Sequence, residues 1–169
     1  NIPVFSGSLF TGSFSLTDAM NDPLLSTHFG QMLYKETGKP VVFKGYYKYT
    51  PGETMIGVDG AIPNRVDECS IRSVIYKVGK GNGSSEHLNG YDVETSSKVI
   101  AKAILTDGSA KENFVQFSIP YVYTEEPDYE NYDYKLDILF ASSKNGDSYE
   151  GAVGSALIVD EVEIVCEEY

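Results

Sequence analysis

Tryptophan is absent from this chain, and cysteine and histidine occur only twice each. Without an indole, any surface that stacks on sugar rings must be built from tyrosine or phenylalanine. Two cysteines, Cys69 and Cys166, are too few for a disulfide framework or a thiolate zinc site. His28 and His87 fall in different loops with no partner at metal-ligand spacing, so packing or surface roles are expected of both. Basic residues are scarce: 13 Lys and Arg stand against 25 Asp and Glu, a net charge of −12. That field repels a phosphate backbone and an anionic lipid surface, which argues against nucleic-acid and membrane partners. A neutral partner such as a glycan is compatible with it. No apolar run approaches the roughly 18 residues that cross a bilayer, so no membrane insertion by this domain is expected. There is no G-x-S-x-G elbow and no H-E-x-x-H motif. "GKGNG" (79–83) has no helix signal after it and reads as a loop. "NIPVFSGSLF" lacks a basic n-region and a long apolar h-region. With Asn1 leading instead of Met, the expectation is a piece of a longer exported protein, cell-surface, outer-membrane-associated or periplasmic, with an upstream domain and a lipid anchor compatible with that setting.

What the chain does have is tyrosine, 13 in 169 residues, and a hydrophobic fraction of 41%, enough for one domain with a real core. Hydrophobicity alternates at period two through seven runs near 9–16, 40–50, 69–79, 97–106, 113–123, 134–142 and 156–166. Turn chemistry separates them, as in "TPGE", "TDGSAKEN" and "SSKNGD". Only 16–33 could hold a helical turn or two, and Pro23 interrupts it. This predicts an all-β, two-sheet antiparallel β-sandwich of jelly-roll type over 1–169.

Alternation also assigns faces. In "VVFKGYYKY" the lysines mark one side as wet, so Tyr47 and Tyr49 belong to the core, and Tyr46 stands outside between Lys44 and Lys48. In 113–123, Val115, Phe117, Ile119 and Tyr121 point inward, with Gln116 and Ser118 opposite. In 134–142, Leu136, Ile138 and Phe140 oppose Lys135 and Asp137. The strand at 69–79 is ambiguous, and its even side offers Arg72 and Tyr76. If these strands share a sheet, Tyr46, Lys44, Lys48, Arg72, Tyr76, Gln116 and Ser118 form a wet face able to stack and hydrogen-bond a sugar. Tyr46 could equally just cover the sheet with its hydroxyl in water.

Three other places carry chemistry. In "ALIVDEVEIVC", Ile158, Val162, Ile164 and Cys166 share a parity with Asp160 in their midst. A buried, unpaired carboxylate costs several kcal/mol. Asp160 is therefore paired, holds a structural calcium, or sits at a β-bulge that turns it outward. No other cofactor is required. Cys69 and Cys166 could bridge if their strands are neighbours; otherwise they are free thiols. The small, flexible loop 142–154 either packs a sheet edge or approaches a ligand, with Ser142, Ser143, Lys144 and Asp147 as its polar candidates. The acidic tract "TEEPDYENYD" (124–133) reads first as a solvated connection.

Taken in order, "SLFTGSF" (8–14), "FGQML" (29–33), "KPVVFKGYYKYTPGE" (39–53), "DECSIRSVIY" (67–76) and "ASSKNGDSYEGAVGSALIVDEVEI" (141–164) resemble the putative carbohydrate-metabolism domain family. The resemblance spans nearly the whole chain. It implies a jelly-roll sandwich similar to galactose-binding-like carbohydrate-binding modules, often behind an immunoglobulin-like domain, in exported bacterial proteins. It implies glycan capture or processing, under the loose label of putative glycoside hydrolase, and brings no catalytic residues with it. Family members often carry a Trp where this chain has Asn113 beside Phe114. The expected function is a non-catalytic module binding oligo- or polysaccharide. A glycoside hydrolase with an Asp/Glu pair and a structural or adhesion module without a small ligand are the alternatives.

Overall fold

The structure, a computed structural model, describes residues 4–169. β1 (Ser8–Phe10) and β2 (Gly12–Phe14) precede a short helix, α1 (Leu16–Asn21). β3 (Thr27–Phe29), β4 (Gln31–Leu33), the long β5 (Lys39–Thr50), β6 (Met55–Gly57) and β7 (Gly60–Ala61) follow. Then come β8 (Ser70–Gly79), β9 (Val99–Ile104), β10 (Lys111–Pro120), β11 (Val122–Tyr123), β12 (Tyr132–Ala141), β13 (Gly151–Ala152) and β14 (Ala156–Glu167). The larger sheet runs β11-β9-β8-β12, with β1 and β4 both lying along the far side of β12. The smaller runs β10-β5-β14, and all pairings in both sheets are antiparallel.

This is the β-sandwich that the alternation predicts. Two expected strands are divided. The run at 9–16 bends at Thr11 into β1 and β2, and the run at 113–123 changes sheets at Tyr121, giving β10 to the smaller sheet and β11 to the larger. Helix α1 starts where the Ser15 hydroxyl accepts from the Asp18 N–H, and Pro23 turns the chain into a single 3₁₀ turn.

The core fills the space between the sheets. Phe43, Tyr47, Tyr49 and Phe117 come from the smaller sheet; Ile71, Ile75, Tyr134 and Phe140 come from the larger. Phe43 and Phe117 meet edge to face at 5.1 Å between centroids. Gly45 makes that contact possible, because a Cβ there would lie 2.8 Å from the Phe117 ring. The core tyrosines keep their hydroxyls bonded: Tyr47 donates to the Asp107 carbonyl and Tyr49 to the Ser142 carbonyl, at 3.0 and 2.9 Å.

The last strand resolves the Asp160 puzzle. Asp160 pairs with Tyr46 and Glu163 with Lys44, so β14 carries one extra residue against β5. At this β-bulge Glu161 adopts φ +48°, and its N–H donates to Asp160 Oδ1 at 2.8 Å. Before the bulge Leu157 and Val159 face the core; after it Ile164 does. The single face expected for Ile158, Val162, Ile164 and Cys166 is therefore broken: Ile158, Asp160 and Val162 are exposed. An exposed Asp160 needs no cation to offset burial, and the described residues hold no group of three or more metal-ligating side chains.

Cys69 and Cys166 are both free, which corrects the bridge considered from sequence. Cys69 leads into β8 of the larger sheet and Cys166 lies on β14 of the smaller, so they are not strand neighbours. Burial pushes the Cys69 thiol up to about 11.

Asp67 is the main polar clamp of the sandwich edge. Its Oδ2 accepts from the Ser143 hydroxyl (2.7 Å), the Ala152 N–H (2.8 Å) and the Ser155 hydroxyl (2.7 Å), and its Oδ1 from the Glu68 N–H. Replacing it leaves buried donors orphaned. Asp67→Ala is expected to cost about 3 kcal/mol and lower the melting temperature by roughly 6–12 °C, read by calorimetry. Thiol titration of the unfolded, unreduced chain is expected to count both cysteines as free.

Candidate functional site

The second face of the larger sheet carries Arg72, Val74, Tyr76 and Val78 from β8 and Lys135, Asp137 and Leu139 from β12. Lys135 and Asp137 suggest a wet surface in the sequence, yet both are buried, as are Arg72 and Tyr76. Two segments, 10–34 with its short strands and helix α1 and the irregular 80–98, cover this face and are tied to each other. The Phe29 N–H donates to the Leu88 carbonyl (2.9 Å), the Gly90 N–H to the Leu24 carbonyl (2.8 Å), and the Tyr91 hydroxyl to Asp22 (2.6 Å). His28 and His87, distant in sequence, stack with ring centroids 3.6 Å apart, and His28 contacts Asp18 at 3.1 Å. Tyr76 is sealed beneath this cover and donates to the Phe29 carbonyl at 2.5 Å. Gly30, at φ +92°, leaves room for its ring, since a Cβ there would sit 2.9 Å from it.

Ions under this cover must find partners inside the protein. Lys135 donates to the Glu86 carbonyl at 2.7 Å, and burial holds its ammonium below the usual lysine range. Arg72 forms an ion pair with Glu94, and its guanidinium lies 5.4 Å from the centre of the Phe29 ring. Asp137 is fully buried, 4.0 Å from Arg72 Nη2, and neither of its oxygens finds a hydrogen-bond partner among the described residues. Burial pushes its carboxyl up to about 7, against the opposing pull of the Arg72 charge and the nearby Thr11 hydroxyl. Arg72 thus stands between an outer and an inner carboxyl group.

Above Arg72 and Glu94 opens a cleft of about 570 Å³, ordinary for a small-molecule site. One wall is the segment with Phe14 and Pro23, a second is the turn bearing Gly90 and Glu94, and the third is the 142–149 loop. Phe5 and Phe14 are well exposed at its rim, and Phe5 meets Tyr149 edge to face at 6.4 Å. Tyr149 adopts the left-handed conformation at φ +57°, which is costly for a side chain of its size and concentrates at ligand-holding positions.

The sequence-predicted residues divide between two places. Tyr46, Lys44, Lys48, Gln116 and Ser118 do share the outer face of the smaller sheet, where Tyr46 sits between Gln116 and Asp160 on the neighbouring strands. Lys44 pairs there with Glu163 at 3.1 Å. Arg72 and Tyr76 do not join them: they belong to the other sheet and are buried, which corrects the single wet face. Arg72 instead meets Ser143, Lys144 and Asp147 around the cleft. Ser143 is engaged by Asp67, and Lys144 faces Glu68 at 3.6 Å. The rim aromatics Phe5, Phe14 and Tyr149, with Glu94, were not singled out by the sequence. Their only signal is "GDSYEG", where a tyrosine follows a turn.

The inner carboxyl makes a pH prediction. A group whose folded value lies near 7, against an ordinary 3.8, keeps its proton in the folded state while the unfolded chain loses it. Stability should therefore fall as pH rises from about 4 to about 7, by up to about 1.4 kcal/mol per pH unit from this group. In Asp137→Asn that component is expected to vanish, seen as a flatter plot of unfolding free energy against pH in denaturant titrations.

Comparison with known proteins agrees with this architecture. None of the curated proteins compared with the chain matches it. Among solved structures, it superposes on one described as a putative glycoside hydrolase from Bacteroides thetaiotaomicron VPI-5482, with TM-score 0.90, 30% identity and 99% of this chain covered. A second, described as a putative glycoside hydrolase from Bacteroides vulgatus ATCC 8482, matches with TM-score 0.84 and 30% identity over 96% of this chain. The chain spans 49% and 65% of the length of these two relatives. The family described as "Putative carbohydrate metabolism domain" matches residues 1–165, and on that match the chain belongs to this family.

Proposed function

We propose that this domain is a non-catalytic carbohydrate-binding module of an exported bacterial protein, holding a glycan in the cleft above Arg72 and Glu94. One observation carries the reading: aromatic rings stand at the rim of a cleft whose floor is a fixed ion pair. Ring faces suit the C–H sides of a sugar, and the ion pair supplies donors and acceptors for its hydroxyls. Hydrolysis asks for two carboxyl groups flanking the scissile bond. Glu94 and Asp147 both line this cleft, but Glu94 is engaged by Arg72, and Asp137 lies beneath it without exposed surface. The hydrolase reading draws on the description of the relatives and on Asp137, a carboxyl that burial pushes up to about 7.

Calorimetry and glycan arrays test the reading, with a reducing-end assay alongside. Phe14→Ala and Tyr149→Ala are each expected to weaken glycan binding about tenfold, on the scale of one aromatic contact. Tyr46→Ala, on the opposite sheet, is expected to leave it unchanged; loss of binding there would move the site to the outer sheet face. Release of reducing ends that disappears in Glu94→Gln or Asp147→Asn would establish a hydrolase instead. No binding to any glycan would favour a structural or adhesion module.

A further inference from the structure

Resting on the glycan-binding reading, we infer that the cleft selects uncharged glycans and rejects those bearing carboxylate or sulfate groups. Four charged side chains line it: Arg72, Lys144, Glu94 and Asp147. Both cations already face carboxyl groups of the protein. Arg72 has Glu94 in front and Asp137 behind, and Lys144 has Glu68 at 3.6 Å. Asp147 has no ion-pair partner among the described residues, and its one side-chain contact is the Ser148 hydroxyl, which donates at 3.3 Å. Among the described lining residues, each cation thus has a carboxylate beside it, and Asp147 carries a charge with no ion-pair partner. The rest of its lining is carbon and neutral polar groups such as the hydroxyls of Ser8 and Ser70.

An acidic sugar could reach Arg72 only by displacing Glu94. That would leave the Glu94 carboxylate uncompensated beside the ligand's own charge, with Asp147 across the cleft. The chain's net charge of −12 adds a repulsive background that slows the approach of any polyanion. A neutral sugar meets none of these costs, because its hydroxyls can bridge Arg72 and Glu94 without separating them. Selectivity here comes from a pair already made, which repels the wrong ligand as much as it attracts the right one.

The test sets galactan, mannan, xylan and mixed-linkage glucan against polygalacturonate, alginate and chondroitin sulfate, using affinity electrophoresis and calorimetry of the intact domain. A matched pair removes differences in linkage: polygalacturonate before and after carboxyl reduction to the neutral polymer. At least one neutral polymer should bind, and every acidic one should bind at least about tenfold more weakly at low salt, with the gap narrowing as salt is raised. Asp147→Asn is expected to raise the acidic-to-neutral affinity ratio severalfold. Retention of any acidic polymer as strong as that of the neutral ones overturns the inference while leaving glycan binding intact. An acidic-to-neutral ratio indifferent to both salt and Asp147→Asn also overturns it. Absence of binding to both classes overturns the glycan-binding reading itself, and the inference with it.

Discussion

The larger sheet is buried on both faces, and most of what distinguishes this domain follows from that constraint. One face meets the smaller sheet in the ordinary way of a β-sandwich. The other is covered by 10–34, built of short elements that include β2, α1 and β3, and by the irregular 80–98. The cover closes a small apolar cluster of Phe29, Tyr76, Val78, Leu88 and Val93, and beside that cluster the strands carry polar side chains. Arg72, Lys135 and Asp137 are tolerated there because the cover brings Glu94 and the Glu86 carbonyl down to meet the two cations. Asp137, with no hydrogen-bonded partner among the described residues, responds to burial with a raised affinity for its proton. The cleft opens where this cover stops short of the 142–149 loop.

That loop is placed by a different interaction. Asp67 binds two hydroxyls and two backbone N–H groups, from residues as far apart in sequence as Glu68 and Ser155. The bonds hold the loop base against the start of β8, and the loop carries Tyr149 in a conformation that its side chain resists. A buried carboxylate with all its acceptor capacity used is stiff. The aromatic rim is thus supported on one side by Asp67 and on the other by the antiparallel pairing of β2 with β3.

The sandwich was legible because period two is a direct image of two-faced strands. Tyr47, Tyr49, Phe117 and Phe140 sit inside as alternation assigns them. Faces failed where a second layer intervened. Lys135 and Asp137 look wet in any local reading, and only the long-range return of 80–98 makes them buried. The ambiguity of 69–79 was the real signal, since a strand apolar on both sides has both sides covered. The cleft was half legible. Arg72, Ser143, Lys144 and Asp147 were singled out for separate reasons, and the fold brings them together. Phe14 and Tyr149 lie in turns and short strands, where no period marks a direction. The stacked pair His28 and His87 was illegible for the same reason: the two lie far apart in the sequence and meet only when the cover forms.

The bulge at Asp160–Glu163 gives β14 something like a reading frame. Upstream, odd-numbered side chains are read by the core; downstream, even-numbered ones are. The extra residue is what lets the even-numbered Ile164 share the core with the odd-numbered Leu157 and Val159. Straightening the strand with every residue kept would turn Ile164 to solvent and present Glu163 to Phe43 and its neighbours. Removing one residue at 161–162, with Glu163 still opposite Lys44, would leave both faces as they are. The frame of this strand is therefore kept by its pairing with β5 and not by its count of residues.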